Sequence, residues 1–368
     1  MNKEKKQVAR MAVRTWSWLK VNESEIPLVF PEEKKKSQIS ISGSDAILID
    51  ETIKEGIEDS TKEFESQAIT EYFGQQATVC HHIIIPENHN EEEPIRIVFS
   101  LEESSPLLVE DIVIEAKKNS SASIIIEYRA DEMKGWEFGS HIGRTRAIVG
   151  EKATLNLIRT QQLPDFIEHS DWFGATVDTE GKLSLLQAEM GSYGAKASWN
   201  VILKGNNSDV RLDILYLGEK SKKLDFSSRV EFLGKESTSL VRARGILLGE
   251  SKKIFRDSLD FISGARGAKG REEEDVLMLS SKARNISVPL LFCGEDDVQG
   301  EHAASSGRPN EGLLFYLMSR GMSEPDAKKL LAESRFGALL EQLSDETLKE
   351  EILAYLRQAI EGEEAYGK

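Results

Sequence analysis

Four glycines in the second half of the chain recur at a nearly constant interval, and this spacing restricts the fold more than any other feature. Gly218, Gly234, Gly249 and Gly264 follow one another at almost equal steps, and each follows or closes a run rich in β-branched and aliphatic residues. A short, fixed period of strand and glycine turn predicts a β-solenoid, in which each turn is stabilised by its neighbours. A large antiparallel β-sandwich, which also has regularly spaced strands, is the alternative.

The residue pattern divides the chain into three regions. Residues 1–77 are predicted to be mostly helical, residues 78–308 to form the β core, and residues 309–368 to be helical again. The core lacks a helix of about ten residues between strands, which argues against a doubly wound α/β fold. The N-terminal prediction depends on apolar residues near helical spacing, namely Ile47, Ile49, Ile53, Ile57 and Phe64.

The C-terminal region contains the signals of two helices. Ser323, followed by Glu-Pro-Asp, predicts a capped helix start, and a second helix is predicted from Ser344 to a stop at Gly362. The apolar face of the second helix is formed by Leu348, Ile352, Leu353, Leu356 and Ile360. Such a helical hairpin either caps the open end of the solenoid or presents a docking face to a partner; the pattern alone favours the cap.

Composition and missing motifs exclude several kinds of chemistry. A formal net charge of −16 argues against a nucleic-acid-binding protein. The sequence has no phosphate-binding GxxxxGK[ST] loop and no GxSxG nucleophile elbow. Two widely separated cysteines, with no secretory signal and no long apolar run, lead us to expect a reducing, cytoplasmic location. Cys80-His81-His82 is a weak metal motif, because a strand directs neighbouring side chains to opposite faces.

A lone histidine, His302, marks the junction between the last predicted turn and the helical region. The surrounding segment, GEHAASSGRPNEGLLFYLMSRGMSEPDAKKLL, resembles the C-terminal signature of the SufB/SufD family, the scaffold subunits of the SUF iron–sulfur cluster assembly system. The matching positions are Glu301, His302, Ala303, Ser305, Leu314, Phe315, Tyr316, Leu317, Ser319, Arg320 and Gly321.

The resemblance implies a right-handed β-helix with N-terminal and C-terminal helical segments. It also implies a non-catalytic subunit that pairs with a SufB-type subunit, or with itself, and docks the SufC ABC-type ATPase. A transient iron–sulfur cluster would bind at the subunit interface, with His302 and Glu301 as candidate ligands. The implied ATPase contacts are Leu314, Phe315, Tyr316, Leu317, Arg320, Gly321, Leu330 and Leu331. The alternatives are a β-helix polysaccharide lyase or hydrolase, and a purely structural pairing subunit.

The cysteines depart from the SufB-type pattern. SufB-type members have a cysteine upstream of the acid–histidine pair, near the place of Arg271 in this chain, and no cysteine lies within reach of it. A thiolate accepts sulfur and binds iron, whereas an imidazole ligates iron but carries no persulfide. The sequence is therefore closer to SufD-type members. Cys293, predicted to lie on a different strand from His302, and Cys80 are the remaining thiol candidates, and a homodimer remains open.

Overall fold

A computed structural model describes residues 2–8, 21–22, 24–30, 38–43, 48–50, 67–130 and 138–366. Its strands are β1 (Asn2–Val8), β2 (Ser24–Phe30), β3 (Gln38–Ser42), β4 (Leu48–Asp50), β5 (Val79–Ile85), β6 (Ile95–Leu101), β7 (Leu107–Ala116), β8 (Ser121–Ala130), β9 (Gly139–Val149), β10 (Thr154–Gln161), β11 (Ile167–Val177), β12 (Lys182–Glu189), β13 (Gly194–Leu203), β14 (Asp209–Gly218), β15 (Lys223–Phe232), β16 (Thr238–Leu247), β17 (Lys252–Phe261), β18 (Lys269–Met278), β19 (Arg284–Cys293) and β20 (Gln299–Gly307). The helices are α1 (Gln67–Gln76), α2 (Glu311–Ser319), α3 (Glu324–Leu340) and α4 (Glu346–Tyr366).

Strands β5–β20 alternate between two sheets and wind into a solenoid of about eight turns. Within each sheet every strand from β7 onward is parallel to the strand two positions earlier, so that Asp209 pairs with Thr238 one full turn later along the chain. The interval between the recurring glycines is about half of the separation between these paired residues. It therefore corresponds to half a turn, the step from one sheet to the other. The predicted β-solenoid is confirmed, and the antiparallel sandwich is wrong.

The corners between the sheets explain why glycine recurs there. Gly249 has a φ of +55°, a backbone conformation that residues with a Cβ adopt at a cost. A Cβ at this position would also lie only 2.6 Å from the carbonyl oxygen of Lys220, in the turn stacked beneath it. Close packing therefore requires glycine at this corner; the left-handed conformation alone does not, because Lys220, one turn earlier, has a φ of +51°.

Side chains alternate between the interior of the solenoid and its outer surface. On β14, Leu212 and Ile214 point into the main core, whereas Leu215 and Leu217 point outward into a second apolar cluster. We call the side chains that point into the solenoid the inner row of each strand. The main core is formed by the apolar members of these inner rows along the whole solenoid.

Helices α3 and α4 form a hairpin that covers the outer side of the sheet of even-numbered strands. Apolar residues of the hairpin pack on outward-facing residues of β8, β12, β14, β16 and β18. The hairpin therefore lies along the side of the solenoid, and the cap favoured by the sequence pattern is not formed. The buried face of the hairpin consists of Ala332, Phe336, Leu339, Leu340, Leu343, Leu348, Ile352, Leu356, Ala359 and Ile360.

The predicted helix starts are close to the observed ones, but one predicted stop is wrong. Ser323 caps α3, and its side chain accepts a hydrogen bond from the backbone N–H of Asp326. At α4 the side chain of Asp345, one residue after Ser344, accepts from the N–H of Leu348 at 2.9 Å. Helix α4 passes through Gly362 and continues to Tyr366, because one glycine costs a helix only about 1 kcal/mol.

The prediction of a mostly helical N-terminal region is wrong for most of the part that the structure describes. Strands β3 and β4 pair antiparallel with β6 and β5 and extend both sheets, so tertiary pairing overrides the helical spacing seen in the sequence. Helix α1 (Gln67–Gln76) is the helix found there. Of the apolar residues used for the prediction, Ile49 lies in β4, and Ile47, Ile53, Ile57 and Phe64 lie outside the described residues. None of the described helices is both long enough and apolar enough to cross a membrane.

Candidate functional site

The two ends of the solenoid differ in how their strands are covered. At the N-terminal end, β3 and β4 pair with the first strands of the two sheets. At the C-terminal end, β20 is the outermost strand of its sheet, and all nine of its residues are exposed. An uncovered edge strand offers a row of unpaired backbone N–H and C=O groups to another chain. We call the surface formed by β19 and β20 the open end.

His302 belongs to the inner row of β20. It pairs in register with Glu272 on β18, which is buried, while its neighbour Glu301 pairs with the exposed Arg271. Paired residues of parallel strands point to the same side, so the imidazole of His302 lies over the interior of the solenoid. Glu301 points outward, and its carboxylate lies 3.7 Å from the Arg271 guanidinium. The structure therefore places the two predicted ligands on opposite faces of one strand.

Directly beneath His302 the inner rows contain two buried carboxyl groups, Glu272 on β18 and Asp257 on β17. The pKa of each is raised, first by burial away from water and then, for Glu272, by the neighbouring Asp257 carboxyl. Two carboxyl groups in contact that are both removed from water share a proton instead of both ionising. The open end is therefore backed by a buried acid pair that holds a proton near neutral pH.

A second buried ionic group lies beside this acid pair. Lys253 is fully buried, and its ammonium group donates a hydrogen bond to the carboxylate of Glu274. Glu274 also accepts a hydrogen bond of 2.8 Å from the hydroxyl of Tyr216. Burial lowers the pKa of Lys253, and the carboxylate opposes that shift.

These four buried ionisable residues were not among the residues predicted from the sequence. They occur in KKIFRDSLDF and KGREEEDVLM, where charged residues fall on both faces of the strand. The alternation of inward-facing and outward-facing side chains would have identified them only if the inward-facing positions of each strand were already known.

The structure separates the two cysteines. Cys293 ends β19 at the open end and is exposed, and it lies on a different strand from His302, as predicted. Cys80 is on β5, seven strand spacings away in the same sheet, which is roughly 34 Å at about 4.8 Å per spacing. Cys293 is therefore the only one of the two that shares the open end with His302.

Helix α2 presents an apolar surface instead of contributing to a core. None of its residues is buried, and Phe315 and Tyr316 are 73% and 51% exposed. Leu314 and Leu317 are half-buried, and the Arg320 guanidinium lies over the ring of Tyr316 at 5.2 Å. Exposed apolar side chains grouped on one helix make α2 a candidate surface for binding another molecule.

The remaining predicted docking residues continue from this helix. Gly321 follows its C-cap with a φ of +95°, a left-handed conformation suited to glycine at a helix end. Leu330 on α3 is 45% exposed, whereas Leu331 packs partly against the hairpin core. Leu331 is therefore a weaker candidate contact than Leu330.

Together these features define a β-solenoid protein whose candidate site is an open end and an adjacent apolar helix, both suited to binding other molecules. The family described as SUF system FeS cluster assembly, SufBD core domain, matches residues 99–335. This match covers more than half of the chain, and the chain belongs to that family.

Curated relatives agree with this assignment. An iron–sulfur cluster assembly SufBD family protein of Pyrococcus horikoshii is 26% identical over 286 residues, covering 75% of this chain and 63% of the relative. Iron–sulfur cluster assembly protein SufD of Bacillus subtilis is 25% identical over 281 residues, covering 76% of this chain and 63% of the relative. SufD of Escherichia coli is 28% identical over 160 residues, covering 44% and 38%. The chain thus matches less than two thirds of the length of these relatives.

Proposed function

We propose that this chain is a non-catalytic scaffold subunit of the SUF iron–sulfur cluster assembly complex. It pairs with a SufB-type subunit, or with a second copy of itself, through the open end, and it binds the SufC ATPase through α2 and the start of α3. The observation that carries the proposal is the uncovered β20 strand, with His302 on its inner row, in a member of the SufBD core family.

The backbone of β20 supports the pairing. The N–H of Gln299 donates a hydrogen bond to the carbonyl of Ala268 in the turn before β18. The backbone N–H groups of residues 301, 303 and 305 therefore also point toward β18. Alternate residues, including His302 and Ala304, direct their N–H groups away from the solenoid, where a strand of another subunit pairs with them. Such an interface would bring His302 next to the partner.

The inner row supports a role for His302 in holding a cluster as cargo. An imidazole is an iron ligand, and this one lies over a buried acid pair at the point where the partner docks. The proposed cluster is transient and shared between the two subunits, with His302 as this chain's ligand. Glu301 points to the other face and is less well placed to share it.

The exposed apolar face of α2 supports docking of the ATPase. Phe315 and Tyr316 project from a helix with no buried residue, so both side chains are free to enter a groove of another protein. The hairpin α3–α4, packed on the side of the solenoid, would connect this dock to the sheet that contains His302.

Co-purification with the SufC ATPase and a SufB-type subunit tests both contacts. We expect Phe315→Asp to abolish retention of the ATPase, while the control Tyr193→Asp, at a residue 62% exposed outside α2, retains it. Point substitution is preferable to deletion after Arg320, which would uncover the apolar side of the solenoid. An ATPase that binds Phe315→Asp as well as it binds the wild type would rule out α2 as the dock.

Pairing is tested with Ala304→Pro. Proline at this position removes an N–H that points away from β18 and blocks strand addition, while the hydrogen bonds to β18 remain. We expect loss of the pair in gel filtration with binding of the ATPase intact, and Ala304→Ser as control should preserve the pair. Unchanged pairing in Ala304→Pro would show that the subunits meet elsewhere.

A further inference from the structure

A group of polar side chains lies deep inside the solenoid, well away from the open end in each sheet. His169 and Asp171 on the inner row of β11 face Glu189 on the inner row of β12, and all three are almost completely buried. One ligand atom of each lies within 4.8 Å of the others. We call these three residues the His–Asp–Glu group; the proposed function does not use it.

The ligand atoms of the group lie close together, and His169 and Glu189 have unused hydrogen-bonding capacity. The Nε2 atom of His169 has no hydrogen-bond partner in good geometry, and Glu189 Oε2 lies 3.3 Å from it. Glu189 accepts one hydrogen bond at each oxygen, from Gln161 at 3.0 Å and Gln187 at 2.7 Å. Each carboxylate oxygen accepts two bonds, so Glu189 keeps capacity for a further ligand.

Three carboxyl groups and one guanidinium are buried together around the group. Glu110, Asp171 and Glu189 contribute three carboxylates, and Arg159, whose guanidinium binds Asp171 at 2.6 and 2.9 Å, contributes one positive charge among them. With both histidines neutral and all three carboxyl groups ionised, the formal charge is −2 in a region closed to water. Uncompensated charge in such a place is expensive, so either one divalent cation or two protons must be bound there.

A second histidine contacts the first and can fix its orientation. His141 Nδ1 and His169 Nδ1 are 2.8 Å apart, so a proton on His169 Nδ1 leaves the lone pair on Nε2, the atom aimed at Glu189. His141 then carries its proton on Nε2, which faces Glu110 Oε1 at 3.6 Å. Metal-ligating histidines usually donate their other N–H to a carboxylate, a backbone carbonyl or water; here His141 takes that place and links His169 to the Glu110 carboxyl group.

A glycine of β9 lies directly against the group. Gly143 on β9 pairs in register with Asp171, and a Cβ there would lie 2.8 Å from Asp171 Oδ1 and Glu110 Oε1 and 2.9 Å from His141 Nε2. Any other residue would displace these ligand-type atoms. Glycine at this position is therefore required by the arrangement of the polar side chains.

We propose that His169, Asp171 and Glu189 bind a divalent first-row transition-metal ion inside the solenoid. One imidazole and two carboxylates form a nitrogen and oxygen ligand set that suits Zn²⁺, Fe²⁺ or Mn²⁺. His141 and Glu110 orient the ligands, and the ion joins the two sheets where their inner rows are polar. Because the site is closed, the ion enters as the solenoid folds.

The test uses the full chain, unfolded in chelator and refolded with Zn²⁺, Fe²⁺ or Mn²⁺ supplied separately. We expect one ion per chain to remain after gel filtration, and X-ray absorption to show nitrogen and oxygen neighbours without sulfur. The thermal midpoint should rise with the concentration of the bound metal. Sulfur neighbours would instead indicate binding by the cysteines and would overturn the assignment.

Two variants distinguish this site from other buried carboxylates. Glu189→Gln preserves the shape of the side chain and should lose the ion, whereas Glu272→Gln, an equivalent change behind the open end, should retain it. If Glu189→Gln does not fold, the wild-type refolding experiment still decides. Substoichiometric metal in the refolded wild type with each of the three ions, and a midpoint insensitive to metal, would show that two protons balance the charge and would refute the proposal.

Discussion

Replacing Lys253 by methionine should cost the solenoid several kcal/mol, because it strands a buried negative charge. The lysine is fully buried and forms an ion pair with Glu274, which is only 3% exposed. Removing one partner of a buried pair costs about 3–5 kcal/mol, since the other charge remains without compensation. Stability of a whole domain is only about 5–15 kcal/mol, so this loss is a large part of it.

Stability should recover when both charges are removed. The double variant Lys253→Met/Glu274→Gln should come back to within about 1–2 kcal/mol of the wild type, because the buried pair contributes little beyond mutual neutralisation. The glutamine still accepts the hydrogen bond from Tyr216 that Glu274 accepts at 2.8 Å.

Urea unfolding, combined with hydrogen exchange of β17 and β18, is the appropriate assay, because a solenoid can lose its last turns before the rest. The exchange measurement reports whether the loss is confined to the turns that contain the pair. A single variant that loses less than about 1 kcal/mol, or a double variant as unstable as the single one, would refute the picture of a desolvated ion pair.

Three further predictions concern the open end and the interior. His302→Ala should leave the unfolding midpoint unchanged, because the side chain is exposed, but should lower retention of an assembled cluster by the paired complex. Unchanged retention would instead favour the alternative of a purely structural pairing subunit. Asp257 and Glu272 have raised pKa values in the fold, so the folded state keeps protons that the unfolded state loses above about pH 4–4.5. The free energy of unfolding should therefore fall as pH rises from there, by at most about 1.4 kcal/mol per pH unit for each group. Asp257→Asn should make this pH dependence less steep in urea unfolding experiments. Gly245→Ala should destabilise the solenoid by about 1–3 kcal/mol in urea, since the new Cβ would lie 2.0 Å from the ring of Tyr216, and Ala243→Gly provides the opposite change on the same inner row.

The solenoid was predictable because its signal is repeated along the sequence. Corners of successive turns stack closely, and at Gly234 and Gly249 a Cβ would collide with the backbone of the turn before, so the turn period appears in the glycine spacing. The start of α3 was equally clear, because the Ser323 cap is a local interaction between residues three apart. Features set by neighbours in sequence could be predicted from sequence.

Features set by strand register could not be predicted from the sequence. The N-terminal apolar residues match a helical period, but Ile49 is in a strand because β4 pairs with β5, a partner that is distant along the chain. The inward direction of His302 depends on its register with Glu272, and the sequence shows neither the register nor which face of β20 is the inner one. The buried acid pair was missed for the same reason.

The polar inner rows have a common physical consequence for a protein of this family. An apolar interior would stabilise the solenoid as well or better, because buried ion pairs seldom gain over hydrophobic residues of similar volume. The His–Asp–Glu group and the acid pair beneath His302 therefore impose a cost in stability that packing does not require. Such a cost is expected where a protein must bind protons or metal ions, and both groups lie along the interior that leads to the open end. Replacing the acid pair by the neutral Asp257→Asn/Glu272→Gln variant should thus leave the fold at least as stable at neutral pH while weakening cluster retention. A double variant that is more stable and retains the cluster as well as the wild type would show that the buried acids are needed neither for stability nor for cluster retention.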